Sequence, residues 1–179
     1  MKFAFAARNN SGFTLVELLM VVSIIAILSG FLIPGFSNYI DSQNLLQGME
    51  LVKSDLRTAQ NKALTGVGSA TGAAFWGVKI TGNNASDYLF FNSQGSSSDD
   101  CNNVSQASPG AQTSENLPGG VVVRDAAGVC VFFSVRNGDA TMVNNGGSDT
   151  LQVAYPDDEA CYGVQINSAG MIRGVALCE

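Results

Sequence analysis

Chemistry in this chain has few places to reside, and the most conspicuous is a single acid in a greasy setting. Glu17 stands in the run FTLVELLMVVSIIAILSGFLIPGF, Phe13 to Phe36, and no further charge occurs before Asp41. A carboxylate at mid-membrane depth costs ~2.5–3.5 kcal/mol on insertion scales and less near the interface, so a glutamate retained there calls for a functional reason. A cationic partner would supply one. Histidine is absent, which removes the commonest general base, the triads built on it and most catalytic zinc sites.

The four cysteines, Cys101, Cys130, Cys161 and Cys178, are spaced by 29, 31 and 17 residues and include no C-x-x-C pair. Scattered spacing of this kind favours disulfides over a tetrathiolate zinc site. With Ala169-Gly170 taken as the central turn of the last hairpin, Cys161 falls opposite Cys178. Opposed strand residues lie ~4.5–5.5 Å apart at Cα, within disulfide range. The expected pairs are therefore Cys161–Cys178 and, by elimination, Cys101–Cys130. Acids cluster at Asp99-Asp100 and Asp157-Asp158-Glu159, with Asn102, Asn103 and Asp149 as further oxygen donors. They lack the twelve-residue calcium-loop pattern, so solvated loop acids are the reading adopted, with a structural calcium ion as the alternative. No other cofactor is implied. The spacing of Gly66, Gly68 and Gly72 misses the dinucleotide fingerprint, and neither a nucleophile elbow nor a paired catalytic carboxylate is present. An enzyme is not expected.

The elements that must position Glu17 follow from hydropathy. The chain has 179 residues, 46% apolar and only 13% charged, with an apolar excess concentrated at its front. The uncharged stretch 18–40 is membrane-length, because a helix rises ~1.5 Å per residue across a hydrocarbon core of ~30 Å. Ahead of it the leader MKFAFAARNNSG carries Lys2 and Arg8 and no acid. The positive-inside rule keeps that end in the cytoplasm and sends residues from Asp41 onward across the membrane. A secretory signal peptide would require a shorter apolar core and a small-residue cleavage site, which GFLIPGFSNYI does not offer. Beyond Asp41 the periodicity persists with one polar face: Leu45, Met49, Val52, Leu56, Ala59 and Ala63 recur at steps of four and three, predicting an amphipathic helix that Gly66 ends.

Gly12-Phe13-Thr14-Leu15-Val16-Glu17-Leu18-Leu19, behind a basic leader and ahead of an uninterrupted apolar helix, resembles the class III signal of type IV pilins and type II secretion pseudopilins. The resemblance implies that a prepilin peptidase removes residues 1–12 by cutting after Gly12 and methylates Phe13. It also implies that Glu17 pairs with the amino terminus of a neighbouring subunit, and that Pro34 occupies a place where many members carry proline. Physically, cleavage creates the cation that the glutamate lacks. An incorrect axial register between packed helices would leave both charges unpaired. The implied partners are other pilin or pseudopilin subunits, the peptidase, an inner-membrane assembly platform and, before assembly, the lipid bilayer. The implied location is the inner membrane, single-pass with the head outside the cytoplasm, and then the pilus or pseudopilus.

Residues 67–179 shift to short β-like runs separated by Gly, Asn, Ser and Asp. Phe75–Ile80 and Tyr88–Phe91 read as a hairpin, followed by a long polar stretch from Asn92 to Gly119 with no apolar period, then by strands around 121–123, 129–135, 141–143, 151–155, 161–167 and 171–178. The fold class expected is α+β, type IV pilin-like: a long amino-terminal helix packed by its carboxy-terminal half on an antiparallel β-sheet head. The divisions are 1–12 leader, 13–40 transmembrane and filament-core helix, 41–66 amphipathic half and 67–179 head. The layout and the stretch Leu51 to Ala63 also resemble the H-type minor pseudopilins, where the form Ala-Arg-x-x-Ala is frequent and this chain has Ala59-Gln60-Asn61-Lys62-Ala63. The expected function is a structural filament subunit. The alternative is a tip or minor pilin head that recognises secreted cargo, a surface or DNA. With 15 acids against 9 bases, nucleic-acid binding is disfavoured; some minor pilins of this group take up DNA through arginines near the carboxyl end, and the resemblance points there to Arg173, with Arg124 and Arg136 as candidates to join it in space.

Overall fold

The structure is a computed structural model that describes residues 13–66, 72, 74–105, 111–114, 116–124, 126, 128–157 and 160–178, without the side chains of 31–35, 37 and 38. The chain divides after Ile40 into two compact units. Helix α1, Leu15–Leu64, contributes to both. Its backbone is helical through Pro34. It ends as Gly66 takes φ +67° and its N–H donates to the Ala63 carbonyl at 3.1 Å, the left-handed exit that glycine adopts without a Cβ clash.

In the second unit the strands are β1 (Phe75–Ile80), β2 (Tyr88–Ser93), β3 (Gln112–Thr113), β4 (Val122–Arg124), β5 (Cys130–Ser134), β6 (Ala140–Val143), β7 (Thr150–Ala154), β8 (Cys161–Ile166) and β9 (Ile172–Cys178). They form two antiparallel sheets, in the orders β3-β2-β1-β5-β6 and β4-β7-β8-β9, joined by an isolated bridge between Ala85 and Val123. All six apolar positions of the amphipathic stretch, Leu45 to Ala63, are buried in one core with the inner faces of both sheets. Alternation sorts the strands. Trp76, Val78 and Ile80 of β1 and Val131 and Phe133 of β5 enter that core, while the residues between them face the opposite side.

That opposite side is covered as well, which corrects the reading of Asn92–Gly119 as one unstructured stretch. It contains the last residues of β2, a short helix α2 (Ser98–Asn102), β3 and a 3₁₀ turn at Pro118–Gly120. Ser97 caps α2: its hydroxyl accepts from the Asp100 N–H, and the Asp100 carboxylate accepts from the Ser97 N–H in return. Cys101 then joins Phe91, Cys130 and Phe132 in a second buried cluster on the outer face of the five-stranded sheet. No strand-like or helical period marks this stretch because its order comes from capping, a disulfide and a few anchors.

Candidate functional site

At the start of α1, Thr14 is the N-cap. Its Oγ1 accepts from the Glu17 N–H at 3.3 Å, and its carbonyl accepts from the Leu18 N–H at 3.2 Å. Thr14-Leu15-Val16-Glu17 has the Thr-x-x-Glu spacing, of which the structure shows the threonine half, the Thr14 hydroxyl accepting from the Glu17 N–H. Glu17 lies in the first helical turn, where a negative charge is favoured by the helix dipole. Phe13 is 83% exposed, and Leu15, Val16, Leu18, Leu19, Met20, Val21 and Val22 are all more than half exposed. Consecutive helical residues point about 100° apart, so this exposure encircles the axis and leaves no polar face. Ser23 is kept from leaving a bare hydroxyl in the run by donating to the Leu19 carbonyl. Phe13 and Glu17 therefore sit together at one helix end, Pro34 lies within α1, and Gly12 lies outside the described residues. Among the described residues no helix is long and apolar enough to cross a membrane.

The cysteines belong to the other unit. Disulfides join Cys101 to Cys130 and Cys161 to Cys178, with Cα separations of 5.8 and 5.1 Å. The second pair does not arise from a two-residue turn at Ala169-Gly170. The β8–β9 loop has three residues, Ser168 to Gly170, closed by the Gly170 N–H to the Asn167 carbonyl at 2.9 Å, with Gly170 at φ +76°. Ile166 then faces Ile172 and Tyr162 faces Ala176, a register in which Cys161 would meet Leu177. A bulge between Cys161 and Tyr162 shifts the strand by one and brings Cys161 opposite Cys178.

The acids do not converge. Asp100 is engaged by Ser97, whose hydroxyl and N–H lower its pKa. Asp149 accepts from Thr150 and Gln165, at 2.9 and 2.7 Å, and those bonds lower its pKa too. Asn102 Oδ1 accepts from Asn144 at 3.3 Å. Asp158 and Glu159 lie outside the described residues, and among the described ones no three acidic or cysteine side chains gather as a metal set. The arginines are also apart: Arg124 and Arg173 occupy the two edge strands of the four-stranded sheet, with β7 and β8 between them, a separation of about 14 Å at ~4.8 Å per strand. Arg173 Nε is held by Gln165 Oε1 at 2.6 Å.

Three anchors had no sequence signal. Gln60 Nε2 donates to the carbonyls of Gly138 and Gly170, at 3.1 and 2.9 Å, so one helix side chain holds the turns of two different sheets. Arg57 adds a bond to the Ile172 carbonyl at 3.3 Å. On the outer face Lys79 Nζ donates to the carbonyls of Cys101 and Val104, each at 2.9 Å, and of Asn102 at 3.4 Å, closing the end of α2; burial lowers its pKa.

Residues 7–33 match the family described as the prokaryotic N-terminal methylation motif. Over 53 residues the chain is 43% identical to the type IV major fimbrial protein FimA of Dichelobacter nodosus, covering 29% of this chain and 33% of that protein. A sequence described as a fimbrial protein of the same organism matches to the same extent. The chain thus spans about a third of the length of the curated relatives it matches. No solved structure matches it significantly. The likeness is confined to the amino-terminal segment, which carries the methylation motif and is similar there to type IV fimbrial proteins.

Proposed function

We propose that this chain is a subunit of a type IV pilus-like filament, held in the inner membrane before assembly by residues 13–40 with the head, 67–179, outside the cytoplasm. The peptidase cuts after Gly12, removing leader 1–12, and methylates Phe13; the assembly platform then transfers the helix from lipid to a bundle of its own kind. The observation that carries this is a helix start that is apolar on every side and holds one carboxylate in its first turn. Only lipid or other apolar helices suit such a surface. The carboxylate needs a cation once water is gone, and the family resemblance supplies one in the α-amine of a neighbour's Phe13. The fimbrial relatives favour the pilus over a secretion pseudopilus.

The test is intact mass and filament yield together. Protein from cells with an active peptidase is expected to begin at N-methylated Phe13. Glu17→Gln is expected to be cleaved normally and to be lost from sheared filaments. A chain that polymerises with its leader attached, or a Glu17→Gln variant that assembles normally, ends the proposal.

A further inference from the structure

Strand β9, Ile172–Cys178, is the longest strand among the described residues and lies at a sheet edge. The other edge strands are short: β3, β4 and β6 have two, three and four residues. Shortness, charge and proline are the usual protection of an edge, yet Ile172–Cys178 contains no proline and one charge, Arg173. Among the described residues no strand pairs with its outer side. The Asn167 N–H donates to the Met171 carbonyl at 3.1 Å, so Met171 turns its backbone toward β8, and alternation does the same for Arg173 and Val175. Ile172, Gly174 and Ala176 turn theirs outward, and the Ile172 carbonyl accepts from Arg57 of α1 instead of from β8. Pairing with β8 is regular from Ile172 to Ala176, and the bulge comes after it.

The side chains suit the same contact. Gly174 lies against Met49 of α1, so Met171, Arg173, Val175 and Leu177 alternate onto the face away from the helix. Met171 and Arg173 line one hollow there with Gln165 and Asn167. A Cβ on Gly163 would lie 2.4 Å from Leu177 Cδ1 and 2.8 Å from Thr150 Cγ2, which puts Leu177 on that face too. Met171 and Leu177, at the two ends, are 60% and 43% exposed.

We propose that β9 pairs with β9 of a second copy of this chain, antiparallel and about a two-fold axis at Gly174. The outward backbone groups then join Ile172 to Ala176 and Gly174 to Gly174. Met171 of each copy falls opposite Leu177 of the other, so both exposed apolar side chains are covered twice over. An axis at Val175 would set Leu177 against the Arg173 guanidinium, and one at Arg173 would oppose two guanidiniums. With the axis at Gly174 the guanidiniums are diagonal neighbours, and each is drawn toward its own sheet, since Nε donates to Gln165, which donates in turn to Asp149. Such a contact is isologous and closes on itself, whereas a filament repeats through heterologous contacts. It adds a link between two heads, made by residues of the second unit only.

The test is sedimentation equilibrium of the full mature chain in dodecylphosphocholine, with micelles in large excess. A dimer is expected. Ala176→Pro removes an outward N–H where an edge strand tolerates proline, and is expected to weaken the dimer tenfold or more. Met171→Glu and Leu177→Lys are each expected to weaken it similarly, and both together in one chain to restore it, because the register sets the introduced acid and base opposite each other. Trp76 fluorescence stays native throughout. The proposal is overturned by a monomer, by a dimer that survives all three single substitutions, which would put the contact in residues 13–40, or by a double variant no tighter than its singles. Neither leader cleavage nor filament yield enters the measurement, so failure here leaves the filament reading standing.

Discussion

The hydroxyl of Tyr88 donates to the carboxylate of Asp55 at 2.5 Å, tying the second strand to the carboxy-terminal part of the long helix. Burial first, then the hydrogen bond and the negative charge of Asp55, hold the Tyr88 phenol far above the ordinary tyrosine value of 10.0. A raised folded-state pKa means that the folded chain keeps its proton where the unfolded chain releases it. The stabilisation is therefore complete below pH 10 and declines as pH rises beyond it. Tyr88→Phe is expected to cost about 1.5–3 kcal/mol at neutral pH and to flatten the alkaline decline. Denaturant unfolding followed through Trp76, the one tryptophan, across pH 7 to about 11 checks both.

Gln60→Ala removes the two carbonyl bonds that hold the β5–β6 and β8–β9 turns. The expected loss is about 1–2 kcal/mol, because part of each freed carbonyl regains water. Hydrogen exchange should rise at Gly138 and Gly170 before it rises in β1. Uniform change across the head would show that the residue does not act at those turns.

Gly77 leaves room for its neighbours. A Cβ there would lie 2.6 Å from Phe91 Cζ and 3.0 Å from the Val131 carbonyl oxygen. Gly77→Ala is expected to destabilise the head by about 1–3 kcal/mol as Phe91 is driven from the second cluster. Combining it with Phe91→Leu should recover part of the loss, measured as a double-mutant cycle.

The two disulfides differ in access. Both sulfur-bearing residues of Cys101–Cys130 are fully buried, whereas Cys178 is exposed. Timed reduction and alkylation, read by peptide mass, should open Cys161–Cys178 first. On chain-entropy grounds, loops of 29 and 17 residues are worth about 3.6 and about 3.1 kcal/mol. Loss of the buried pair is expected to cost more, because it also disturbs the aromatic cluster around Phe132.

What the sequence made legible were the periodic features. Steps of four and three from Leu45 to Ala63 located a face that is buried throughout, and the hairpin of β1 and β2 was visible as two apolar runs about a polar turn. The division of the strands into two sheets was not, since strand order depends on long-range pairing that leaves no local pattern. The Cys161–Cys178 pairing was reached through a two-residue turn, whereas the chain uses a three-residue loop and restores the alignment with a bulge. At the amino terminus Glu17 was conspicuous because charge is rare there, while Thr14, an ordinary polar residue, gave no such contrast despite its place in the cap.

Lys79 and Cys130 together fasten the short helix over the outer side of the sheet, in a cluster that includes no α1 residue among the described residues. Substitutions on the solvent side of that covering segment, at Asp99 or Asn103, can then accumulate without unseating the helix beneath the other side. Surface character and skeletal packing are thereby separated within one small head, so sequence drift in the former need not weaken the latter.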